Sequence, residues 1–473
     1  MSFFSILLIA MTPPNWKPPL ISYREGALCL DFQGRVQLPK ELSFLAWDDR
    51  QKQYLAHAYH YRELIRYLHL NSLGYTDSAP KYEHLDLEIK NPFTPHDYQQ
   101  EALTAWERAK RGICVLPTGS GKSYLAAMAM EKINRATLIL APTIDLILQW
   151  QKNLQELFQV EIGLLGGGSR EILPLTVSTY DSARIHAPAL GNRFGLLIFD
   201  ECHHLPAPGY AQMARGYIAP FRLGLTATPN EESERQELLG ELTGGIVYHK
   251  QIQQLSGEYL APYEARVIEV ELSEAEREEY EWHRGEYMAY RDGMGENFSR
   301  PGAWERFVMR AHQTPEGREA MESFRKQKEI ATSSAAKLES IAQLLHQHRG
   351  ERVLIFTHDN KTAIRIASLF LLPLITHETK AKERKEILAN FRSNRWPFLV
   401  NSRVLNEGVD VPEAGVAIVV SGSSTTREHV QRLGRILRNQ KGKQAILYEL
   451  VTAGTTEVYT SKRRREHGAY RGF

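Results

Sequence analysis

The chain has 473 residues, of which 42% are hydrophobic and 24% are charged. These values are typical of a soluble globular protein with about three domains. The formal net charge is only +2, which excludes a chain that is basic throughout, so any surface for nucleic acid must be local. The three cysteines (Cys29, Cys114 and Cys202) show neither metal-ligand spacing nor a disulfide framework, and this favours a reducing interior.

The sequence contains no apolar run long enough to span a membrane. Residues 3–10 are apolar but few, with no basic residue ahead of them. We predict a buried strand here, or a true start at Met11, with a signal peptide as the alternative. The expected location is therefore the cytoplasm of a prokaryotic-type cell, in association with the nucleoid.

Residues 1–88 carry no nucleotide motif and are predicted to form a small α/β module. Alternating residues over 26–36 predict two strands that turn at Gly34. Apolar residues at helical spacing over 59–73 predict a helix that Gly74 closes. Residues 90–95 are polar and contain proline, which indicates a linker between domains.

Residues 98–247 alternate short apolar runs with helical stretches, which predicts a parallel sheet wound by helices. The predicted strands are 113–116, 137–141, 175–179, 196–199 and 223–226. Residues 273–335 break this pattern and are predicted to form two or three helices. A second series of strands follows at 353–357, 372–375, 398–401, 416–420 and 445–449. The chain therefore contains two similar α/β halves.

A phosphate-binding loop lies between the predicted strand 112–115 and the predicted helix 124–132. Glycines in such a turn direct backbone N–H groups at phosphate oxygens, next to the positive end of the helix. Lys122 would reach the β- and γ-phosphates of a nucleotide, and the Ser123 hydroxyl would bind Mg²⁺. The predicted nucleotide-binding residues of the loop are Pro117, Thr118, Gly119, Ser120, Gly121, Lys122 and Ser123.

Two acidic residues, Asp200 and Glu201, follow the apolar run 196–199. A buried strand would place them at the carboxyl end of the sheet, where ligands bind in open α/β folds. Asp200 would hold Mg²⁺, and Glu201 would deprotonate the attacking water. A zinc site built from Cys202, His203 and His204 is the alternative, but neighbouring side chains point apart and no distant Cys/His pair exists.

Residues 431–438 form a glutamine- and arginine-rich segment that includes Gln431, Arg435 and Arg438. The two arginines are one helical turn apart, so both can project from one face. Such planar groups stabilise the negative charge of a phosphoryl-transfer transition state when another domain supplies them. A solvated helix face is the alternative.

These three motifs, in this order on two α/β halves, resemble those of the superfamily-two helicases and translocases. The resemblance implies ATP as the nucleotide and extends to further motifs. Gln99 matches the adenine-reading motif, although His96 replaces its usual arginine. The other matches are Thr143 and Thr179 in strand-contacting motifs, Thr226 and Thr228 in the motif that couples hydrolysis to movement, Thr357 in the fourth motif, and Gly408 and Asp410 in the fifth.

Within that superfamily the chain resembles the XPB group in its compact archaeal-type form, on residues 200–206, 218–228 and 401–438. The resemblance implies a damage-recognition-like domain at 1–88, an ATP-binding RecA-like domain at 89–250 and a second RecA-like domain at 251–460. It also implies a thumb-like helical insert at about 273–330, ahead of a basic tail at 461–473. The implied activity is 3′→5′ unwinding or translocation on DNA in nucleotide excision repair or transcription, with a nuclease partner in archaea.

The implied DNA contacts are to the phosphate backbone and independent of sequence. One departure concerns strand separation, since Glu231, Glu232 and Ser233 stand where the group has an Arg-Glu-Asp triplet. Two alternatives to a strand-separating motor therefore stay open. One is a motor that moves on duplex DNA without unwinding it, and the other is an ATP-switched clamp that recruits a nuclease.

Overall fold

The structure is a computed structural model, which describes residues 16–228, 232–255, 259, 263–296, 298, 300, 302–402, 414–421 and 445–465. The chain divides into two compact units, Met1–Lys250 and Gln251–Phe473. Each unit contains a sheet of mainly parallel strands. The α/β class predicted from the sequence is therefore confirmed.

The first unit begins with a small five-stranded sheet of order β3-β4-β2-β1-β5, packed on one helix. Its elements are β1 (Leu20–Arg24), β2 (Ala27–Asp31), β3 (Ala46–Asp48), β4 (Gln53–His57), α1 (Tyr61–Leu70) and β5 (Thr76–Asp77). The chain turns from β1 to β2 at Glu25 and Gly26, whose φ angles of 48° and 90° suit a tight hairpin. The prediction of a turn at Gly34 was wrong, because Gly34 lies in the loop after β2.

A second, eight-stranded sheet forms the larger part of this unit, in the order β13-β6-β12-β11-β7-β10-β8-β9. Its strands are β6 (Arg111–Val115), β7 (Thr137–Ala141), β8 (Gly163–Gly166), β9 (Ser169–Arg170), β10 (Leu175–Thr179), β11 (Leu196–Asp200), β12 (Phe221–Thr226) and β13 (Ile246–His249). The helices are α2 (Asp97–Ala109), α3 (Lys122–Ile133), α4 (Ile144–Phe158), α5 (Tyr180–Leu190), α6 (Pro208–Arg215) and α7 (Ser233–Thr243). All strand pairs are parallel except β8 with β9.

The central strands β7, β10 and β11 are buried along their whole length. This explains the near-continuous apolar sequences of β7 and β11, whereas β10 also buries Thr176, Ser178 and Thr179. Because these strands are parallel, their carboxyl ends meet at one edge of the sheet. That edge carries the loop after β6, the two acids at the end of β11 and the threonine that ends β12. The sheet thus brings motifs far apart in sequence to one edge.

The second unit contains a six-stranded parallel sheet of order β14-β19-β18-β15-β17-β16. Its strands are β14 (Tyr263–Val270), β15 (Val353–Thr357), β16 (Leu374–Ile375), β17 (Phe398–Ser402), β18 (Val416–Val419) and β19 (Ala445–Thr452). Its helices are α8 (Ile252–Leu255), α9 (Glu274–Gly293), α10 (Ala303–Ala311), α11 (Pro315–Thr332), α12 (Ala335–Gln347), α13 (Asn360–Phe370), α14 (Ala381–Arg392) and α15 (Thr456–Arg465). Helices α9, α10 and α11 lie where the sequence predicted two or three helices. Within the described ranges, no helix is long and apolar enough to cross a membrane.

Candidate active site

The glycine-containing loop between β6 and α3 is held by the helix that precedes β6. The Gln99 side chain of α2 donates to the carbonyls of Ser120 (3.1 Å) and Gly121 (3.4 Å), and the Tyr98 hydroxyl donates to Ser120 at 2.7 Å. Gly121 has a φ of 74°, and a Cβ atom there would lie 2.5 Å from Nε2 of Gln99. This position therefore requires glycine. Gln99 fixes the loop, and its predicted contact with adenine stays a prediction.

Lys122 begins helix α3, and its ammonium group bends back over the loop. Its Nζ donates to the carbonyls of Leu116 (3.1 Å) and Pro117 (3.3 Å). The Thr118 hydroxyl is buried and has no hydrogen-bond partner in the described part of the chain. Among the described residues, the Lys122 ammonium group thus donates only to carbonyls, and the buried Thr118 hydroxyl donates to none. Both features suit a loop that receives phosphate oxygens.

Asp200 ends β11 and is 7% exposed. Its carboxylate accepts hydrogen bonds from the Trp150 ring N–H at 2.7 Å and from the Glu201 backbone N–H at 3.1 Å. Burial raises the pKa of Asp200, while the Trp150 hydrogen bond and the charge of Lys122 act in the opposite direction. A divalent cation would stabilise the ionised form of this buried carboxylate further, so Asp200 fits the metal-binding role.

Glu201 is linked to β12 through a histidine. Glu201 has a φ of 47°, a conformation that non-glycine residues rarely adopt and that is often found at functional sites. Nδ1 of His203 lies 3.4 Å from the Glu201 carboxylate and 3.1 Å from the Thr226 hydroxyl. Thr226 donates to the Thr228 carbonyl at 2.8 Å, so its oxygen accepts from His203, which places a proton on Nδ1. The acid expected to activate water therefore lies beside His203, which contacts Thr226, and Thr226 in turn bonds to Thr228, the second predicted coupling residue.

Sequence reasoning did not assign active-site roles to His203 or Trp150. His203 entered only as a candidate zinc ligand. Their contacts, with Thr226 and Asp200, cross from one element to another, so local spacing gave no signal for them. The zinc alternative has no support among the described residues, which contain no group of three or more metal-ligating side chains.

The three threonines predicted to contact nucleic acid are engaged within the protein. The Thr143 hydroxyl accepts from the Leu146 N–H at 3.3 Å, and the Thr179 hydroxyl accepts from the Ser182 N–H at 3.1 Å. Both therefore cap helices. Thr357 is fully buried and donates to a backbone carbonyl two residues on at 3.0 Å, so its side chain does not reach the surface.

Five predicted site residues lie outside the described residues. They are Gly408, Asp410, Gln431, Arg435 and Arg438. Their assignment stays a prediction from sequence. The same holds for the role of Ser123, which lies in the first turn of α3.

Comparison with protein families gives three matches along the chain. Residues 21–79 match the xeroderma pigmentosum group B helicase damage recognition domain, and residues 318–473 match the ERCC3/RAD25/XPB C-terminal helicase. Residues 92–231 match the res subunit of type III restriction enzymes.

Individual relatives carry related names. The DNA 3′-5′ translocase XPB2 of Sulfurisphaera tokodaii is 40% identical over 92% of this chain and 99% of its own length. The DNA 3′-5′ helicase XPB of Kineococcus radiotolerans is 32% identical over 80% of this chain, but the match spans 63% of that longer protein. The Hef helicase domain of Pyrococcus furiosus is 19% identical, covers 78% of this chain and 98% of that domain, and has a TM-score of 0.49.

Proposed function

The chain belongs to the XPB helicase family, and we propose that it is an ATP-driven motor that moves 3′→5′ on DNA and separates its strands during repair or transcription. Family membership brings with it the use of ATP and the binding of DNA. One observation carries the proposal beyond the family match. The phosphate loop, Asp200 and the chain from Glu201 to Thr226 lie at one edge of one sheet.

We propose roles for the residues of that edge. Lys122 binds the β- and γ-phosphates, and the loop N–H groups from Gly119 to Ser123 surround them. Ser123 and Asp200 are the ligands for Mg²⁺, whose chemistry is to neutralise phosphate charge. Glu201 takes the proton of the attacking water, and His203, 3.4 Å from the Glu201 carboxylate, contacts Thr226 of β12.

The residues outside the described ranges complete this proposal. Gln431, Arg435 and Arg438 would supply the arginine finger and its neighbour, and Gly408 and Asp410 would contact the nucleotide. DNA binding would use backbone N–H groups near the helix caps at Thr143 and Thr179, together with the Thr143 hydroxyl, which accepts the cap hydrogen bond and can still donate to a phosphate oxygen. A nuclease partner, and the domain limits at residues 88, 250 and 460, remain part of the proposal.

A second candidate function is translocation on duplex DNA without strand separation. Two observations favour it, the Glu231-Glu232-Ser233 triplet and the name of the Sulfurisphaera relative, which is a translocase. The third candidate, an ATP-switched clamp that recruits a nuclease, needs binding of ATP but not its rapid hydrolysis.

ATP turnover with single-stranded DNA, duplex DNA and RNA tests the proposed motor, together with strand displacement and displacement of a third strand from a triplex. A strand-separating motor displaces both kinds of strand, and a duplex translocase displaces only the third strand. Glu201→Gln should bind Mg·ATP, because Asp200 remains, yet hydrolyse it very slowly. Glu161→Gln, at an exposed position, is the matched control. Full biological function of Glu201→Gln would favour the clamp, and no stimulation of ATP turnover by DNA would contradict both motor proposals.

A further inference from the structure

The small N-terminal sheet has a cleft of about 540 Å³ beside the end of β2. Two aromatic rings form one side of it, Trp16 before β1 and Phe32 directly after β2. Their centroids are 5.2 Å apart at 85°, and Phe32 in turn packs edge-on against Tyr54 at 5.7 Å. The Trp16 ring N–H donates to the Gly74 carbonyl at 3.1 Å. Trp16 is half-buried, so a firmly held aromatic ring remains partly open to the cleft.

The loop that forms the other side of the cleft is also fixed. The Gln33 backbone N–H donates to the Asp31 carboxylate at 2.7 Å, and the Val36 N–H donates to the Tyr54 hydroxyl at 3.1 Å. Tyr54 donates in return to the Val36 carbonyl. The cleft is therefore preformed, which lowers the entropic cost of binding a ligand.

The polar groups that line the cleft favour an anionic partner. Lys17 and Arg35 are exposed there, with the amides of Gln33 and Gln37, and the described lining residues include no carboxylate. An aromatic surface flanked by cations is how proteins bind single-stranded nucleic acid, since bases stack on the ring and phosphates pair with the cations. Amide side chains add hydrogen bonds to base edges. The volume also lies within the range of about 300–1,000 Å³ common for small-ligand sites.

From this cleft we infer a nucleotide-binding site of the N-terminal domain, which takes one unstacked base of single-stranded or locally opened DNA and the phosphates beside it. A base within an intact duplex cannot lie on the Trp16 ring, because both of its faces are stacked. The inference rests on the proposed function, in that it names what this domain binds while the motor acts. It adds a contact that distinguishes opened from paired DNA at a site outside the ATP-binding sheet.

The test uses the full-length protein without nucleotide and a short single strand with a central 2-aminopurine, compared with the same sequence as a closed hairpin duplex. Stacking on Trp16 should quench the 2-aminopurine fluorescence. The double variant Lys17→Glu/Arg35→Glu should weaken single-strand affinity about tenfold and change duplex affinity by about twofold or less. Arg66→Glu is the matched control, because Arg66 is exposed on α1 of the same domain and does not line the cleft.

Trp16→Leu gives an independent readout, since it keeps an apolar side chain and removes the stacking ring. It should abolish the quenching while the melting temperature, measured in parallel, reports any loss of folding. Unchanged single-strand affinity in the charge-reversal variant would overturn the inference, as expected if the chain's own apolar residues 3–10 occupy the cleft. An equal loss for single strand and duplex would also overturn it, because simple charge attraction would then suffice. Absence of DNA-stimulated ATP turnover in the unaltered protein would instead contradict the proposed function.

Discussion

Each unit buries a basic side chain completely, but the two charges are compensated in different ways. Arg222 in β12 is 0% exposed and donates to the carbonyls of Leu242 (2.7 Å), Tyr217 (2.7 Å) and Ala214 (3.0 Å). Lys337 in α12 is also 0% exposed. Its ammonium group forms an ion pair at 2.6 Å with the carboxylate of Glu457, which belongs to the same unit.

The difference shows what each charge does for its sheet. Among the described residues, Arg222 donates hydrogen bonds only to main-chain oxygens near the carboxyl ends of α6 and α7, and its guanidinium lies over the Tyr59 ring. Burial lowers the pKa of Arg222, and the charge of Arg111 acts in the same direction. Lys337 donates also to the Val420 carbonyl at 2.7 Å, and Glu457 accepts the Thr452 N–H at 3.1 Å. Arg222 therefore holds the main chain of the two neighbouring helix ends against β12, the strand that ends at Thr226. Lys337 instead belongs to an ion pair, in which a change of one side chain can be compensated by a change of the other.

Lys122 differs most from Arg222 and Lys337, because it also donates to carbonyls but is only half-buried. Lys122→Ala should reduce ATP turnover by about 10³-fold or more, since its charge is expected to stabilise the transferring phosphate. The melting temperature should change little. Lys132→Ala is the matched control, because Lys132 lies in the last turn of the same helix, 55% exposed. Near-normal turnover of Lys122→Ala would contradict the phosphate-loop assignment.

Arg222→Met should affect stability instead of the phosphate site. It should destabilise the first unit by about 3–4 kcal/mol, because several buried carbonyls lose their donor. Chemical denaturation would measure the loss. Arg215→Met is the control, since Arg215 is a partly exposed neighbour that pairs with Glu241 at 3.0 Å. A change below about 1 kcal/mol would show that water or other donors replace the guanidinium.

Lys337→Met should destabilise the second unit by about 2–3 kcal/mol, because it leaves the mostly buried Glu457 carboxylate without its cation. Adding Glu457→Gln should recover much of that loss, since glutamine can still accept the Thr452 N–H. Such a rescue by one partner is not available to Arg222. If the double variant were as unstable as the single one, a change in the partner would not compensate for the loss of Lys337. The two buried charges would then not differ in this respect.

The sequence predicted those features that depend on local spacing. Lys122 could be located because a strand, a loop and a helix follow one another within a few residues, and Asp200 because it directly follows an apolar run. The hairpin turn was misplaced because Gly34 looked as suitable as Gly26, and only the pairing of β1 with β2 distinguishes them. Strand β14 was missed because its alternating charged residues do not resemble a buried strand.

Features that depend on contacts between distant elements could not be predicted. The partners of Arg222 come from two helices and a loop, and nothing in the β12 sequence indicates them. The partner of His203 lies 23 residues away, on the neighbouring strand. The burial of Thr357 depends on the packing around the end of β15, whereas the motif suggested an accessible hydroxyl.

A smaller effect is expected at Thr226, the active-site residue that ends β12, the strand that also contains Arg222. Thr226→Val removes the hydroxyl that contacts His203 and bonds to Thr228. Movement per ATP hydrolysed should fall about fivefold to tenfold, which corresponds to about 1–1.4 kcal/mol. Thr226→Ser keeps the hydroxyl and should behave as the unaltered protein. Equal losses of ATP turnover and strand displacement would indicate a structural role instead of coupling.

The smallest effect is expected for the Glu231-Glu232-Ser233 triplet. In a change to Arg-Glu-Asp, Glu232 is retained and can keep its ion pair with Arg235 at 2.9 Å. Aspartate at position 233 lies at the start of α7, where the helix dipole favours an acid.

The arginine at position 231, outside the described residues, is therefore the change that matters for DNA. It would attract a displaced phosphate or stack on an unpaired base, where glutamate repels both strands. Strand displacement per ATP should rise about twofold to fivefold, while ATP turnover stays nearly constant. Unchanged or lower displacement per ATP, measured in the same preparation, would show that this triplet does not limit strand separation, and the duplex translocase would become the better description.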